Sequence, residues 1–257
     1  MKETIKRLTP PPVRSLFTRL GRFYATPQVT FPSQEGAFQT LKGLGWNPRT
    51  CIDVGAYHGD WAGMFRSIFP DANVLMIEGQ DAKEARLKEV AAESAGHIDY
   101  AMSLLGAQDG IEVEFAEMET GSSVFEESSP YARHKVKKQL VTLDTLLKRH
   151  PRFEGAQSLK LDTQGYEMEV LKGATQLLRT VETVLMEVSL VPINQGAPAF
   201  ADMVAFMSER NFKLFDFCSQ IRRKDGVLWQ TDLMFIRKDA GIHIESRLTE
   251  DNWAKIK

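Results

Sequence analysis

From residue 50 onward, short runs of apolar, β-type residues alternate with stretches in which apolar residues recur at helical spacing. Strands separated by helices in this way pair in parallel and are covered by helices on both faces. The predicted strands are Thr50–Val54, Asn73–Ile77, Ile98–Met102, Ser158–Leu161, Val184–Val188, Phe212–Cys218 and Asp232–Arg237. The pair Asp225-Gly226 favours a tight turn between the last two. The pattern therefore predicts an α/β, doubly wound, mostly parallel seven-stranded sheet with a C-terminal antiparallel hairpin.

The connecting helices are predicted from apolar residues three and four positions apart. They cover residues 61–68, 81–91, 167–178 and 200–207. Asp81, followed by Glu84 three residues later, has the pattern of a helix N-cap. The middle of the chain, between Met102 and Ser158, is predicted to be irregular.

Charge and cysteine content exclude several classes of protein. The chain has 32 basic and 34 acidic residues and a formal net charge of -2, so it lacks the positive field of a general nucleic-acid binder. Its two cysteines, Cys51 and Cys218, lie in apolar runs, as reduced core residues do. No uncharged stretch approaches the roughly 18 residues of a membrane span, and no secretion signal is evident. We expect a cytoplasmic protein with no transmembrane segment and no nucleic-acid partner.

The first 45 residues differ from the rest and are predicted to form a basic, partly helical arm, with residues 46–257 as the main domain. Six basic residues face a single acid before residue 25. Apolar residues between Val13 and Leu20 recur at helical spacing after three prolines. Two interpretations remain open. The arm either packs on the main domain or a second subunit, which would give a homo-oligomer, or makes a peripheral contact with a membrane surface or an acidic partner.

A glycine loop follows the first strand, within the segment CIDVGAYHGD. We call residues Gly55–Gly59 the glycine loop. Its glycines remove side chains where a ligand would touch the backbone, and the amides at the start of the next helix are donors for an anionic or polar ligand. Asp53 is expected to hold an ammonium group or to orient the loop. In open α/β sheets, ligands bind at the carboxyl ends of the strands where the strand order reverses, which is the position of this loop.

An acidic residue about 20 positions beyond the loop narrows the choice of ligand. Glu78 ends the second strand, where a carboxylate can accept hydrogen bonds from both hydroxyls of a ribose. Nicotinamide dinucleotides and S-adenosylmethionine share this requirement. The loop lacks the third glycine of a GxGxxG pattern, which is unfavourable for wrapping a pyrophosphate. The sequence therefore favours S-adenosylmethionine.

Three further segments carry a recognisable pattern. They are VTLDTLL at Val141–Leu147, LKLDTQGYEMEVLKGA at Leu159–Ala174 and TDLMFIRK at Thr231–Lys238. Together with the glycine loop and with Gly121, Ser122 and Ser123, they resemble the FkbM family of methyltransferases over most of the chain. The resemblance implies a class I, Rossmann-like methyltransferase domain that uses S-adenosylmethionine. It also implies O-methylation of a sugar, glycan or secondary metabolite.

The resemblance and the strand order together assign the expected cofactor and substrate residues. The amino-acid part of the cofactor is expected at Asp53, Gly55, Ala56, Tyr57 and Gly59, the ribose at Glu78 and Gly79, and the adenine at Ser103 and Leu104. The expected substrate contacts are Ser122, Ser123 and Gln164.

Methyl transfer to an alcohol requires a group that accepts the hydroxyl proton or stabilises the alkoxide. Asp162 ends the fourth predicted strand, Glu187 lies within the fifth beside it, and these two are the first candidates. His58 is a second candidate base. Each has a structural alternative: Asp162 as a helix cap, Glu187 as a loop anchor and His58 as a hydrogen-bonded scaffold residue.

No metal is expected, because the five histidines are scattered and no known ligand spacing occurs. A basic run around residues 133–138 either contacts an acidic substrate, such as a phosphorylated sugar, or forms a solvated face. Two other functions remain open: a nicotinamide-dependent oxidoreductase, and a non-catalytic binding module that has kept the fold.

Overall fold

The computed structural model describes residues 32–117, 122–125, 134–191, 194 and 196–244. The strands are β1 (Thr50–Val54), β2 (Asn73–Glu78), β3 (Ile98–Met102), β4 (Leu104–Leu105), β5 (Glu112–Glu117), β6 (His134–Val141), β7 (Ser158–Leu161), β8 (Thr183–Ser189), β9 (Phe212–Phe217), β10 (Ile221–Arg222) and β11 (Leu228–Arg237). The helices are α1 (Gln34–Gly43), α2 (Asp60–Ile68), α3 (Glu84–Glu93), α4 (Leu143–Leu147), α5 (Glu167–Lys172) and α6 (Phe200–Glu209). The predicted helix of residues 13–20 lies outside the described residues.

The main sheet has the order β10-β11-β8-β7-β1-β2-β3. Strand β9 also pairs with β11 and lies off this path. Strands β3, β2, β1, β7 and β8 are parallel, whereas β11 is antiparallel to β8, β9 and β10. The doubly wound fold with a C-terminal antiparallel pair is therefore confirmed. All seven predicted strands are present, and the described part of the sheet gains the two-residue β10. The strand order reverses between β1 and β7, which defines where a ligand site is expected.

The middle of the chain differs from the prediction, because it contains a second sheet of order β4-β6-β5. Strands β5 and β6 read EVEFAE and HKVKKQLV, so Glu or Lys occupies six of the fourteen positions. Glu and Lys are depleted in strands, and these runs lack the apolar continuity by which the buried strands are recognised. Cross-strand ion pairs replace that signal: Lys137 Nζ lies 2.7 Å from Glu112 Oε1, and Lys135 Nζ lies 3.3 Å from Glu114 Oε2.

Two helix predictions also need correction. The predicted helix of residues 167–178 ends at Lys172. Gly173 is its C-cap, where any Cβ would lie 2.1 Å from the carbonyl oxygen of Gly106. A short 3-10 turn at Leu177–Arg179 follows. Asp81 is not an N-cap: it begins a 3-10 turn before α3, and its carboxylate pairs with Lys138 Nζ at 2.7 Å.

The two faces of the main sheet carry separate cores. Side chains of α1, α2 and α3 pack on one face, and those of α4, α5 and α6 on the other. Helix α1 is capped by Ser33, whose Oγ accepts a hydrogen bond from Gly36 N at 3.0 Å. Among the described residues, no helix is long and apolar enough to cross a membrane. The division of the chain at residue 45 stays a prediction.

Helix α1 anchors its face through Phe38, which is fully buried. The ring contacts Phe65 edge-on, with centroids 5.1 Å apart, and Trp61 at 5.8 Å. We expect Phe38→Ala to lower the free energy of unfolding by about 3 to 5 kcal/mol, the usual cost of removing a buried aromatic ring. Urea denaturation measures the loss, and Leu44→Ala, at a position that is 41% exposed, is the control. A loss for Phe38→Ala no larger than that of the control would show that α1 does not belong to the core.

Candidate functional site

A cavity lies at the carboxyl ends of β1, β2 and β7, beside the point where the strand order reverses. Nine residues predicted from the sequence line it: Gly55, Tyr57, Glu78, Gly79, Ser103, Leu104, Ser122, Asp162 and Gln164. We call it the main cavity. Six other predicted residues do not line it: Asp53, Ala56, His58, Gly59, Ser123 and Glu187. The structure thus brings together most of the expected cofactor residues and one of the three expected catalytic residues.

The glycines of the glycine loop are required by the protein itself. Gly55 has φ 75°, and a Cβ there would lie 1.9 Å from the carbonyl oxygen of Asp162. Gly59 has φ 80°, and a Cβ there would meet Met76 Sδ at 2.9 Å. Both positions combine left-handed backbone with a close intramolecular approach, which only glycine tolerates. We expected these glycines to make room for a ligand at the backbone. Packing between neighbouring elements already accounts for them.

The amide groups of the loop are also used within the protein. The donor–acceptor pairs are Gly55 N and Ala56 N to Ile77 O, at 2.9 and 3.1 Å, Tyr57 N to Glu78 Oε2, at 2.8 Å, and Gly59 N to Ala56 O, at 2.8 Å. These four amides are therefore not free to cradle an anionic ligand, whereas the predicted contact of a ligand with the amides at the start of α2 stays a prediction. A phosphate-binding loop needs such amides to point at the ligand.

Glu78 stands at the end of β2 and is 5% exposed. Its Oε1 accepts a hydrogen bond from Gln80 N at 2.9 Å, and its Oε2 accepts the one from Tyr57 N. A carboxylate has about four acceptor positions, so Glu78 keeps capacity for further donors from the cavity. The two backbone bonds fix the carboxylate without neutralising it.

Apolar side chains form one wall of the main cavity. They are Ile77, Leu104, Leu105, Phe115 and Val124. Phe115 lies on β5, and neither it nor Thr163 is among the residues predicted from the sequence. Thr163 Oγ1 is buried and has no hydrogen-bond partner among the described residues, although Thr163 lines the main cavity. A planar apolar group and a polar group would both find matching surfaces here.

The side chain of Gln164 bridges two acidic side chains, those of Asp162 and Glu187. Its Nε2 donates to Asp162 Oδ1 at 2.9 Å and to Glu187 Oε1 at 3.2 Å. Its backbone is left-handed, with φ 53°, and its carbonyl oxygen accepts bonds from Ser123 Oγ at 3.0 Å and Asn194 Nδ2 at 2.6 Å. Ser123 therefore acts on the backbone of Gln164. The strained backbone conformation serves to place one amide between two acids.

Asp162 does not cap a helix. Helix α5 begins at Glu167 and has no side-chain cap; instead Glu167 Oε1 accepts bonds from Thr163 N at 2.8 Å and Gly165 N at 3.3 Å. The side chain of Asp162 is 42% exposed and borders the main cavity. The capping alternative for Asp162 is thereby removed, and its carboxylate is accessible to a ligand.

Glu187 is half-buried on β8 and hydrogen-bonds to Gln164 of the main cavity. Burial raises its pKa to about 9, and the negative charges of Asp162, Glu167 and Asp232 add to the shift. Gln230 Nε2 also donates to Glu187 Oε1, at 2.8 Å. A pKa of about 9 favours the protonated form of Glu187 at neutral pH, and its role as a base stays a prediction.

Asp53 and His58 do not line the main cavity. Asp53 is fully buried, and its Oδ1 lies 3.0 Å from Lys160 Nζ. Burial raises the pKa of Asp53, and the Lys160 ammonium opposes that shift. The His58 ring stacks on Tyr57, with centroids 3.8 Å apart, and its Nε2 lies 3.5 Å from Lys83 Nζ. The scaffold interpretation of His58 fits this environment better than a catalytic one.

The basic run before β7 is balanced by neighbouring acids. Lys135, Lys137 and Lys138 pair with Glu114, Glu112 and Asp81, respectively. These pairs favour a solvated face over an anion-binding surface. Within the described residues, no three His, Cys, Asp or Glu side chains are grouped as metal ligands would be.

Sequence comparison relates the chain to a known family. A model of the methyltransferase FkbM domain matches residues 53–214, which is more than half of the chain. The chain belongs to the FkbM methyltransferase family. It is therefore a methyltransferase by family, and the resemblance inferred from the sequence is confirmed. A comparison with curated protein sequences finds no match.

Solved structures with similar folds share little sequence with this chain, and several of them are described as methyltransferases. A putative O-methyltransferase from Klebsiella pneumoniae is 11% identical, with a TM-score of 0.48, and the match covers 92% of this chain and 94% of that one. Cofactor-bound Rv0187 from MTB is 13% identical, with a TM-score of 0.47 and coverages of 90% and 92%. Precorrin-6y C5,15-methyltransferase from Geobacter metallireducens GS-15 is 9% identical, with a TM-score of 0.46 and coverages of 84% and 94%.

The raised pKa of Glu187 predicts a pH-dependent loss of stability. Its pKa rises from 4.5 to about 9, so the folded state binds the extra proton and stability falls as pH rises between these values. Glu187→Gln removes this loss. We expect equal stabilities near pH 5 and a more stable variant near pH 9, with the difference growing by at most about 1.4 kcal/mol per pH unit. Denaturant unfolding from pH 5 to 9 measures it, with exposed Glu154→Gln as the control. Parallel profiles for wild type and Glu187→Gln would contradict the assignment.

Proposed function

We propose that this FkbM-family methyltransferase uses S-adenosylmethionine to methylate a hydroxyl of a sugar, a glycan or a secondary metabolite. One observation carries the proposal: Glu78 and Asp162 reach the same cavity from the ends of β2 and β7. The first is held by backbone amides, as a ribose-binding acid requires. The second is partly exposed and hydrogen-bonded by a neutral amide, as a proton acceptor requires.

The residues around the main cavity fit S-adenosylmethionine. Glu78 would accept hydrogen bonds from the ribose hydroxyls, and the apolar wall that includes Leu104 and Phe115 would cover the adenine. Gly55 and Tyr57 line the end of the cavity proposed for the amino-acid part, and Thr163 Oγ1 is a polar atom still without a partner among the described residues. When bound, S-adenosylmethionine supplies an electrophilic methyl group. Ser122 lines the cavity beside these residues and is proposed as a substrate contact.

The proposed chemistry assigns one proton transfer to Asp162. Its carboxylate accepts the proton of the acceptor hydroxyl as the oxygen becomes nucleophilic. Gln164 Nε2 holds Oδ1 of this carboxylate, while Oδ2 lies 3.7 Å from Lys160 Nζ. Glu187, whose pKa of about 9 favours the protonated form at neutral pH, is not assigned this proton. Because His58 stands outside the cavity, it takes no part in this step.

The alternative functions receive less support. A nicotinamide-dependent oxidoreductase would bind a pyrophosphate at the glycine loop, but four amides of that loop already donate to protein acceptors. A non-catalytic module has no need of a partly exposed carboxylate held beside the cofactor residues. Both cysteines are free thiols, which agrees with the proposed cytoplasmic location. A role for the basic arm in assembly or peripheral attachment is kept as a proposal.

The ribose assignment is tested by Glu78→Gln, which keeps the length of the side chain and removes its charge. We expect the affinity for S-adenosylmethionine and S-adenosylhomocysteine to fall roughly tenfold or more, because hydrogen bonds to a charged group are lost. Titration calorimetry measures the affinity, and exposed Glu84→Gln is the matched control. Circular dichroism verifies the fold. Unchanged affinity in Glu78→Gln, or tight binding of NAD by the wild type, would refute the assignment.

The role of Asp162 is tested by Asp162→Asn. We expect its affinity for S-adenosylmethionine to stay near the wild-type value, while the single-turnover rate falls by about 100-fold or more, the usual contribution of a general base. The acceptor is first found by screening sugars and hydroxylated small molecules with methyl-labelled cofactor. Asp202→Asn, in the first turn of α6, is the control for the loss of an acid. Wild-type rates in Asp162→Asn would leave positioning alone to drive the reaction.

A further inference from the structure

Lys160 places a buried positive charge between the glycine loop and Asp162. The residue lies on β7, is 5% exposed and points toward the face covered by α1 and α2. Its Nζ lies 3.0 Å from Asp53 Oδ1 and 3.7 Å from Asp162 Oδ2, and it donates to the carbonyl oxygen of Gly55 at 3.0 Å. Lys160 is not among the residues predicted from the sequence.

The charge of Lys160 is maintained by these contacts. Burial by itself would lower its pKa, but the carboxylates of Asp53 and Asp162 outweigh that effect and raise it. The oxygens of Asp53 have no other hydrogen-bond donor among the described residues, so the two residues form a mutually dependent pair. Pairing with Asp53 explains why the ammonium is tolerated in the core. It does not explain the contacts to Gly55 and Asp162.

We propose that Lys160 is a positioning residue that fixes the glycine loop and the candidate base Asp162 relative to each other. The carbonyl group of Gly55 is held by Lys160 from β7, while its amide is held by Ile77 from β2. The first residue of the loop is therefore held from both neighbouring strands. The same ammonium attracts Asp162, so one charge sets the spacing between the cofactor side and the acceptor side of the cavity.

The proposal rests on the proposed function where it concerns the cofactor, but the loop itself gives an independent measurement. Lys160→Met leaves Asp53 buried without a counter-ion, so this variant is expected to melt at a much lower temperature. The double variant Asp53→Leu with Lys160→Met replaces the pair by apolar side chains and is expected to regain most of the melting temperature. It still lacks the ammonium that binds Gly55 and Asp162. The double variant thus separates neutralisation of Asp53 from positioning.

Two readouts are taken on the double variant. Hydrogen exchange of the peptide spanning residues 52–61 is expected to become about tenfold faster, since one hydrogen bond from a charged group is lost at the loop. Affinity for S-adenosylmethionine, measured by calorimetry, is expected to weaken by roughly the same factor. Asp53→Asn keeps Lys160 and gives it a neutral polar neighbour. This variant is expected to melt at a lower temperature, because a buried charge loses its counter-ion, but to stay closer to the wild type than to the double variant in both readouts. Lys172→Met, which removes an exposed lysine that pairs with Glu169, is the control for charge.

Wild-type exchange and affinity in the double variant would overturn the proposal, because Lys160 would then serve only to neutralise Asp53. Losses in Asp53→Asn as large as those of the double variant would also overturn it, since the loop would then depend on Asp53. If the wild type fails to bind S-adenosylmethionine, the proposed function is refuted, while the exchange of residues 52–61 still decides the role of Lys160.

Discussion

The parallel pairing of β1 with β7 is the contact on which the candidate site depends. The register places Asp53 opposite Lys160 and Val54 opposite Leu161, so that Gly55 meets the backbone of Asp162 just beyond the strands. At that point no side chain fits between the two segments. The glycine loop and the segment after β7 therefore leave the sheet side by side, and both line the main cavity.

Charge at this end of the sheet is reduced to a small number of exposed groups. Asp53 is paired with Lys160, and burial favours the protonated form of Glu187 at neutral pH. Asp232 accepts a hydrogen bond from Gln34 Nε2 of α1 at 2.8 Å, so that an amide on another element holds it too. Helix α1 therefore holds an acidic side chain at this end of the sheet, in addition to its contribution to the core.

The sequence allowed the main sheet to be predicted because its strands are buried on both faces and read as short apolar runs. The same principle failed for β5 and β6, whose Glu and Lys residues are stabilised by ion pairs across strands that sequence order does not reveal. Among site residues, Glu78 and Asp162 were predictable because each follows directly from the end of a strand. Lys160 was not, since a lysine within a strand acquires a role only when the neighbouring strand supplies its counter-ion.

The glutamine amide between Asp162 and Glu187 distinguishes two acids that look alike in sequence. Both follow apolar strand residues, yet one is partly exposed and the other is half-buried among acids. An amide donates to either acid without adding charge, so it holds both in place and leaves burial to decide which acid is protonated. The two acids differ in access as well: Asp162 borders the main cavity and Glu187 does not. The amide therefore joins an acid that a ligand can reach to one whose raised pKa favours the protonated form.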